Sequence, residues 1–211
     1  LMALCAAGIC SGSIVKFHIV GITLEAPTIE IASGNRSDLR MLKYGKKQRQ
    51  IAYEKLNHSN KDDVDIVVLG CPHYTLERMG NVARMLGGKK VHENTRLYVT
   101  TCHMIKFLAD KMEFTEIITK AGGLLLEDTC GLSLDADPSR VFASDSAKLV
   151  HYAPGATGLK NTWFGTTEEC IQAAIEGKWR GEIGIGEGLA ALALPHHRAY
   201  GSVHGGSYSL T

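Results

Sequence analysis

Asp65-Ile-Val-Val-Leu-Gly70 runs straight into Cys71-Pro72-His73, and the reading of that stretch decides the fold. The apolar run is strand-length. From about Tyr74 it gives way to Leu76, Met79, Val82, Met85 and Leu86, close to a 3.6-residue period, until Gly87-Gly88 ends the helix. The unit recurs. Arg96-Leu-Tyr-Val-Thr100 leads into Thr101-Cys102-His103 and a helical pattern through Met104, Phe107, Leu108 and Met112. Gly123-Leu-Leu-Leu-Glu127 leads into Asp128-Thr129-Cys130. Short strands alternating with helices predict an α/β fold, a mostly parallel sheet with flanking helices. Ligands gather at the carboxyl ends of parallel strands, so thiols, imidazoles and hydroxyls on that edge mark a site.

Working outward, the reading predicts a small-residue helix from Leu1 to Ile9 and a β-branched strand over Ser13-Ile-Val-Lys-Phe-His-Ile-Val20, between Gly12 and Gly21. A short helix over 23–33 follows, with Pro27 near its first turn. A partial helical stripe through Leu39, Leu42, Ile51, Tyr53 and Leu56 covers 35–57. Downstream come a helix over 114–120, a loop with Asp135, Asp137 and Pro138, and a strand over 140–143. Ser144-Asp145-Ser146 caps a helix through Lys148 and His151, 152–158 reads as a Gly/Pro loop, and Thr167 caps a last amphipathic helix. The pattern weakens beyond 180, so 1–180 is read as one domain and 181–211, with His196, His197 and His204, as an unassigned tail. The chain opens on Leu1 inside a helical pattern and reads as a piece of a longer protein.

Composition limits the function classes. The 211 residues suffice for one well-buried core. A net charge of +1 makes no electrostatic case for nucleic acid or an anionic membrane surface. No apolar run approaches the roughly 18 residues of a membrane span. Six scattered cysteines without a secretory signal point to a reducing, cytoplasmic setting and to metal or catalytic roles rather than a disulfide framework.

Cys71 and Cys130 end strands that the topology can bring together, and each reads either as a soft metal ligand or as a small apolar core residue. Cys102 shares the strand-end position, where a helix N-terminus would lower its pKa. Cys5, Cys10 and Cys170 read as packing residues. His73 stands at a loop-to-helix junction, as a catalytic group or a structural hydrogen bonder; His18, inside an apolar run, reads as a satisfied core histidine. The hydroxyls of Thr100, Thr101 and Ser146 are placed to bind carboxylate or phosphate oxygens, or simply to cap helices. Lys148, two residues past Ser146, can reach an anionic ligand.

Together these residues resemble the catalytic large subunit of the aconitase X family. The matching stretches are Phe17-His18-Ile-Val-Gly-Ile-Thr23 with Glu25-Ala-Pro-Thr28, Gly70-Cys71-Pro72-His73, Val99-Thr100-Thr101, Asp128-Thr129-Cys130, Ser146-Ala-Lys148 with His151-Tyr152-Ala-Pro154, and Phe164-Gly165 with Glu169-Cys170. Leu24 stands where a proline is usual. Cys102-His103 stands where Ser-Arg is common, which removes a bidentate carboxylate clamp.

The resemblance implies an aconitase-like fold and a hydro-lyase that eliminates water from a small hydroxy-acid such as cis-3-hydroxy-L-proline or mevalonate 5-phosphate. It implies an iron–sulfur cluster or a single iron as Lewis acid, with Cys71 and Cys130 as two of three cysteine ligands. The third ligand, the N-terminal half and a small swivelling domain or subunit would be partners outside this chain. His73 and Lys148 are the expected catalytic residues, and Thr100, Thr101 and Ser146 the substrate-binding ones. Two other classes stay open: a non-catalytic α/β module, and a zinc-binding module using Cys71, Cys102, His103 and Cys130.

Overall fold

The computed structural model describes residues 2–134 and 137–181, so the tail read from the sequence lies outside the described residues apart from its first position. Among the described residues, five strands form one parallel sheet: β1 (Ile66–Leu69), β2 (Arg96–Thr101), β3 (Gly123–Glu127), β4 (Val141–Ser144) and β5 (Asn161–Phe164). Their spatial order is β3-β2-β1-β4-β5. The helices among the described residues are α1 (Met2–Gly12), α2 (Ile29–Ser33), α3 (Lys46–Leu56), α4 (Leu76–Leu86), α5 (His103–Lys111), α6 (Phe114–Ala121), α7 (Ala147–Thr157) and α8 (Thr167–Glu176).

Both faces of the sheet are covered, which is why β1 is apolar at every position rather than alternating. Val67, Leu69, Leu97, Val99 and Ala143 turn to one face, where they meet Met79, Val82 and Leu86 of α4, Ile118 of α6 and Ile171 of α8. Ile66, Val68, Tyr98 and Phe142 turn to the other, onto Leu149, Val150 and Ala153 of α7. Each large side chain so buried contributes about 1.5–3 kcal/mol of transfer free energy. Helix α3 closes the β5 edge: Thr162 Oγ1 donates to the Leu56 carbonyl at 3.0 Å, and the rings of Tyr53 and Phe164 lie 5.2 Å apart. No helix among the described residues is long and apolar enough to cross a membrane.

Several sequence expectations change. Residues 13–20 form no strand. β-branched residues favour a strand only where a ladder partner exists, and this run pairs with neither sheet edge. His18 is accordingly half-buried in irregular chain, and its Nδ1 finds no hydrogen-bond partner among the described residues, so it is not a satisfied core histidine there. The helix over 23–33 shrinks to α2, capped by the Thr28 hydroxyl. The 152–158 loop is the end of α7, which continues through Pro154 because Val150 and Ala153 are buried against the sheet. Asn161–Phe164 is a strand, and the last helix is capped by Thr166, not Thr167.

Candidate functional site

The strand order reverses between β1 and β4. The chain leaves β1 toward α4 on one face and leaves β4 toward α7 on the other, so the two ends part and open a crevice at their carboxyl edge. Cys71, Pro72 and His73 enter it from β1, with a cis Cys71–Pro72 bond. Asp145, Ser146 and Lys148 enter from β4 and the first turn of α7.

Cys130 arrives from farther away. It follows β3, two strands from β1, and the chain returns through a 3-10 turn at Gly131–Ser133 packed on β1 and α7. A Cβ at residue 131 would stand 2.6 Å from Val68 Cγ1 and 3.2 Å from Leu149 Cδ1. Only glycine lets this turn settle so low and bring Cys130 within electrostatic reach of Cys71.

The Cys71 thiol is half-buried, and that burial pushes its pKa up. A hydrogen bond with Ser146 and the charge of Lys148 act in the opposite sense, while Cys130 and Cys10 add to the rise. Cys130 is exposed. The sequence reading assigned Cys10 to packing; its thiol donates to the Ala6 carbonyl at 3.0 Å, and because α1 lies on α7 it comes within electrostatic reach of Cys71. No local signal announces this, because it depends on how two distant helices meet.

The loop bearing Cys71 is tied down at Gly70, His73 and Tyr74. Gly70 has a φ of +103°, and a Cβ there would meet the Thr100 carbonyl oxygen at 2.1 Å. Thr100 Oγ1 donates to the Gly70 carbonyl at 2.8 Å, and Thr101 Oγ1 donates to the Tyr74 carbonyl at 2.6 Å. Both threonine side chains are buried and directed at backbone, so what they do here is hold the loop. Ser146, also buried, accepts from the Leu149 N–H at 3.2 Å and caps α7 while touching Cys71. His73 Nε2 lies 2.9 Å from the Thr129 carbonyl oxygen. The nitrogen facing a carbonyl must carry the proton, which leaves Nδ1 as the basic nitrogen of the neutral ring.

Two groups that sequence reasoning missed lie beneath. Tyr74 donates its hydroxyl to Asp145, and Thr167 donates to the same carboxylate oxygen at 2.8 Å. Burial pushes the Asp145 carboxyl up, partly offset by these two hydrogen bonds.

Cys102 and His103 do not join the crevice thiols. His103 Nδ1 pairs with Glu127 Oε2 at 2.9 Å, and its backbone N–H donates to Asp128. Among the described residues no three His, Cys, Asp or Glu side chains converge as a metal-holding group, so the four-residue zinc site considered from the sequence does not form. Cys71 and Cys130 supply two soft donors, which by themselves do not complete a metal site.

Residues 64–176, more than half of the chain, match the family model described as the aconitase X third domain. The chain is 31% identical over 173 residues to the cis-3-hydroxy-L-proline dehydratase of Pseudomonas aeruginosa, covering 80% of this chain and 30% of that protein. It is 34% identical over 175 residues to the phosphomevalonate dehydratase large subunit of Methanocaldococcus jannaschii, covering 82% of this chain and 41% of that one. The chain thus spans well under half the length of these relatives. The crystal structure of Thermococcus kodakaraensis aconitase X (holo-form) shares the fold, with a TM-score of 0.56 and 22% identity over 68% of this chain and 37% of that one. The crevice between β1 and β4 therefore sits in a matched domain, and the chain belongs to the aconitase X family.

Proposed function

We propose that this chain forms part of a dehydratase active site that removes water from a small hydroxy-acid. The observation that supports it best is the convergence of Cys71, Cys130, Ser146 and Lys148 at the one point where the strand order reverses. The dehydratases among its relatives add the reaction class. Cys71 and Cys130 would hold an iron–sulfur cluster or a single iron as two of its ligands, the third coming from outside the described residues. When bound, iron supplies Lewis-acid polarisation of a leaving hydroxyl. The chain's own residues do the remaining work. Lys148 binds the substrate carboxylate, with Ser146 beside it fixing the position of Cys71. His73, held through Nε2, presents Nδ1 to take the proton next to that carboxylate.

Of the two substrates that the relatives' names print, the crevice suits cis-3-hydroxy-L-proline better. Among residues 70–75, 128–134 and 145–150, Lys148 is the one permanent cation. That matches a lone carboxylate more closely than a carboxylate and a phosphate together.

Anaerobic reconstitution with iron and sulfide, followed by visible absorption and metal analysis, tests the reading. A brown chromophore in the unmutated chain that disappears in both Cys71→Ala and Cys130→Ala is the expected result. Iron uptake that ignores both substitutions, or no uptake at all, overturns the metal-holding role and favours a non-catalytic α/β module.

A further inference from the structure

Beneath the crevice lies a polar group for which the proposed chemistry has no direct use. Tyr74 is 2% exposed, and its hydroxyl donates to Asp145 Oδ2. Thr167 Oγ1 donates to that same oxygen at 2.8 Å, and the two hydroxyl oxygens are 3.4 Å apart. The three residues belong to three segments: the loop after β1, the loop after β4 and the first turn of α8. Tyr74 closes the segment that carries Cys71 and His73, and Asp145 directly precedes Ser146. The backbone of Tyr74 is fixed too, its N–H donating to the Thr100 carbonyl at 3.1 Å and its carbonyl accepting from Thr101. The Arg78 guanidinium covers the ring at 5.2 Å.

A tyrosine ring could fill this space as phenylalanine. A carboxylate inside it costs desolvation that an apolar side chain of similar volume would not. What a fully satisfied buried network adds over plain packing is a single geometry, since any slip leaves a buried donor or acceptor unpaired. Here the geometry at stake is that of the two walls of the crevice.

We propose that Tyr74, Asp145 and Thr167 form the positioning element of the crevice, locking the loop that bears Cys71 and His73 against the loop that bears Ser146 and Lys148. The contact between Cys71 and Ser146 depends on this lock. Its consequence for metal holding rests on the function proposed above; its consequence for thiol geometry does not.

The test is the rate at which iodoacetamide labels each cysteine of this chain, read by mass spectrometry. Global opening is told apart by its urea dependence, since labelling through whole-chain unfolding rises steeply in low urea and labelling through a local slip does not. Tyr74→Phe keeps the ring and removes the donor. It is expected to speed Cys71 labelling about five-fold, the factor carried by one hydrogen bond's net contribution, with little dependence on low urea. Asp145→Ala should behave alike, whereas Asp145→Asn, which keeps an acceptor for Tyr74, should stay near the unmutated rate. Cys71 labelling unchanged in both Tyr74→Phe and Asp145→Ala, or faster only with the urea dependence of whole-chain unfolding, overturns the proposal. The two readings fail separately: an unmutated chain that takes up no iron overturns the metal reading alone, and unchanged Cys71 labelling overturns the positioning role alone.

Discussion

His73 Nε2 stands 2.9 Å from the carbonyl oxygen of Thr129, so the loop after β1 is joined to the loop after β3 one residue before Cys130. One imidazole thereby does two things: it ties together the segments bearing the two thiols, and it fixes which ring nitrogen is basic. These roles separate by substitution. His73→Gln retains an N–H donor for the Thr129 carbonyl and loses the base. His73→Ala loses both. On the function proposed above, dehydration of cis-3-hydroxy-L-proline should fall about 10²–10⁴-fold in either variant. Iron content should hold in His73→Gln and drop in His73→Ala. Equal iron content in the two variants would show that the tie to Thr129 has no part in holding the thiols together.

The second prediction concerns Gly70. Its φ of +103° disfavours any other residue, and an added Cβ would lie 2.1 Å from the Thr100 carbonyl oxygen, which belongs to a central strand and cannot yield. Gly70→Ala should therefore cost more than about 2 kcal/mol, a backbone-strain and overpacking effect combined. Urea unfolding measures it: the midpoint should fall with the slope unchanged. Gly21, also at positive φ but with nothing within 4 Å of a built Cβ, is the control, and its alanine variant should lose clearly less.

How far the sequence alone could reach is visible in the same loops. The strands β1, β2 and β3 were legible because each is an apolar run that ends in a short polar segment. The strand-end rule then pointed to Cys71 and Cys130 without any knowledge of strand order. Strand β5 was not legible, since four residues beginning with Asn161 and Thr162 carry no periodicity. The run at 13–20 shows the converse, strong β propensity with no partner strand to use it. Pro154 concealed the last turn of α7, where burial of Ala153 outweighs the lost hydrogen bond. Tyr74 and Asp145 are 71 residues apart, and Cys10 nears Cys71 only through the packing of α1 on α7. Pairings of that kind have no local signature.

Thr100 offers a third prediction, one that separates loop holding from substrate binding. Its hydroxyl donates to the Gly70 carbonyl and is 1% exposed. Thr100→Val keeps the shape and leaves that carbonyl without its side-chain donor. The cost should be about 1–3 kcal/mol, read as a melting temperature lower by roughly 2–4 °C per kcal/mol. On the function proposed above, KM for the hydroxy-acid should be unchanged, and Thr100→Ser should restore stability. A raised KM at unchanged melting temperature would instead place this hydroxyl on the substrate.

The last prediction is an alkaline limit to stability. Burial pushes up the thiols of Cys71 and Cys170 and the phenols of Tyr53 and Tyr74. A raised acid stays protonated in the folded chain while the unfolded chain has already released its proton. Between the two pKa values the folded state therefore binds more protons, and stability falls as pH rises. For the thiols the window opens near their ordinary value of 9.0, and for the phenols near 10.0. Asp145, also raised, has the same sign, but its window opens near 3.8, on the acid side. Unfolding free energies measured in urea at pH 7, 8.5 and 10 should be level over the first interval and fall over the second. Cys170→Ala removes the most deeply buried of these thiols and should flatten the second interval, even where the small cavity it leaves lowers stability uniformly. An unmutated chain as stable at pH 10 as at pH 7 would mean that these groups ionise without opening the core, and the burial argument for Cys170 would fail.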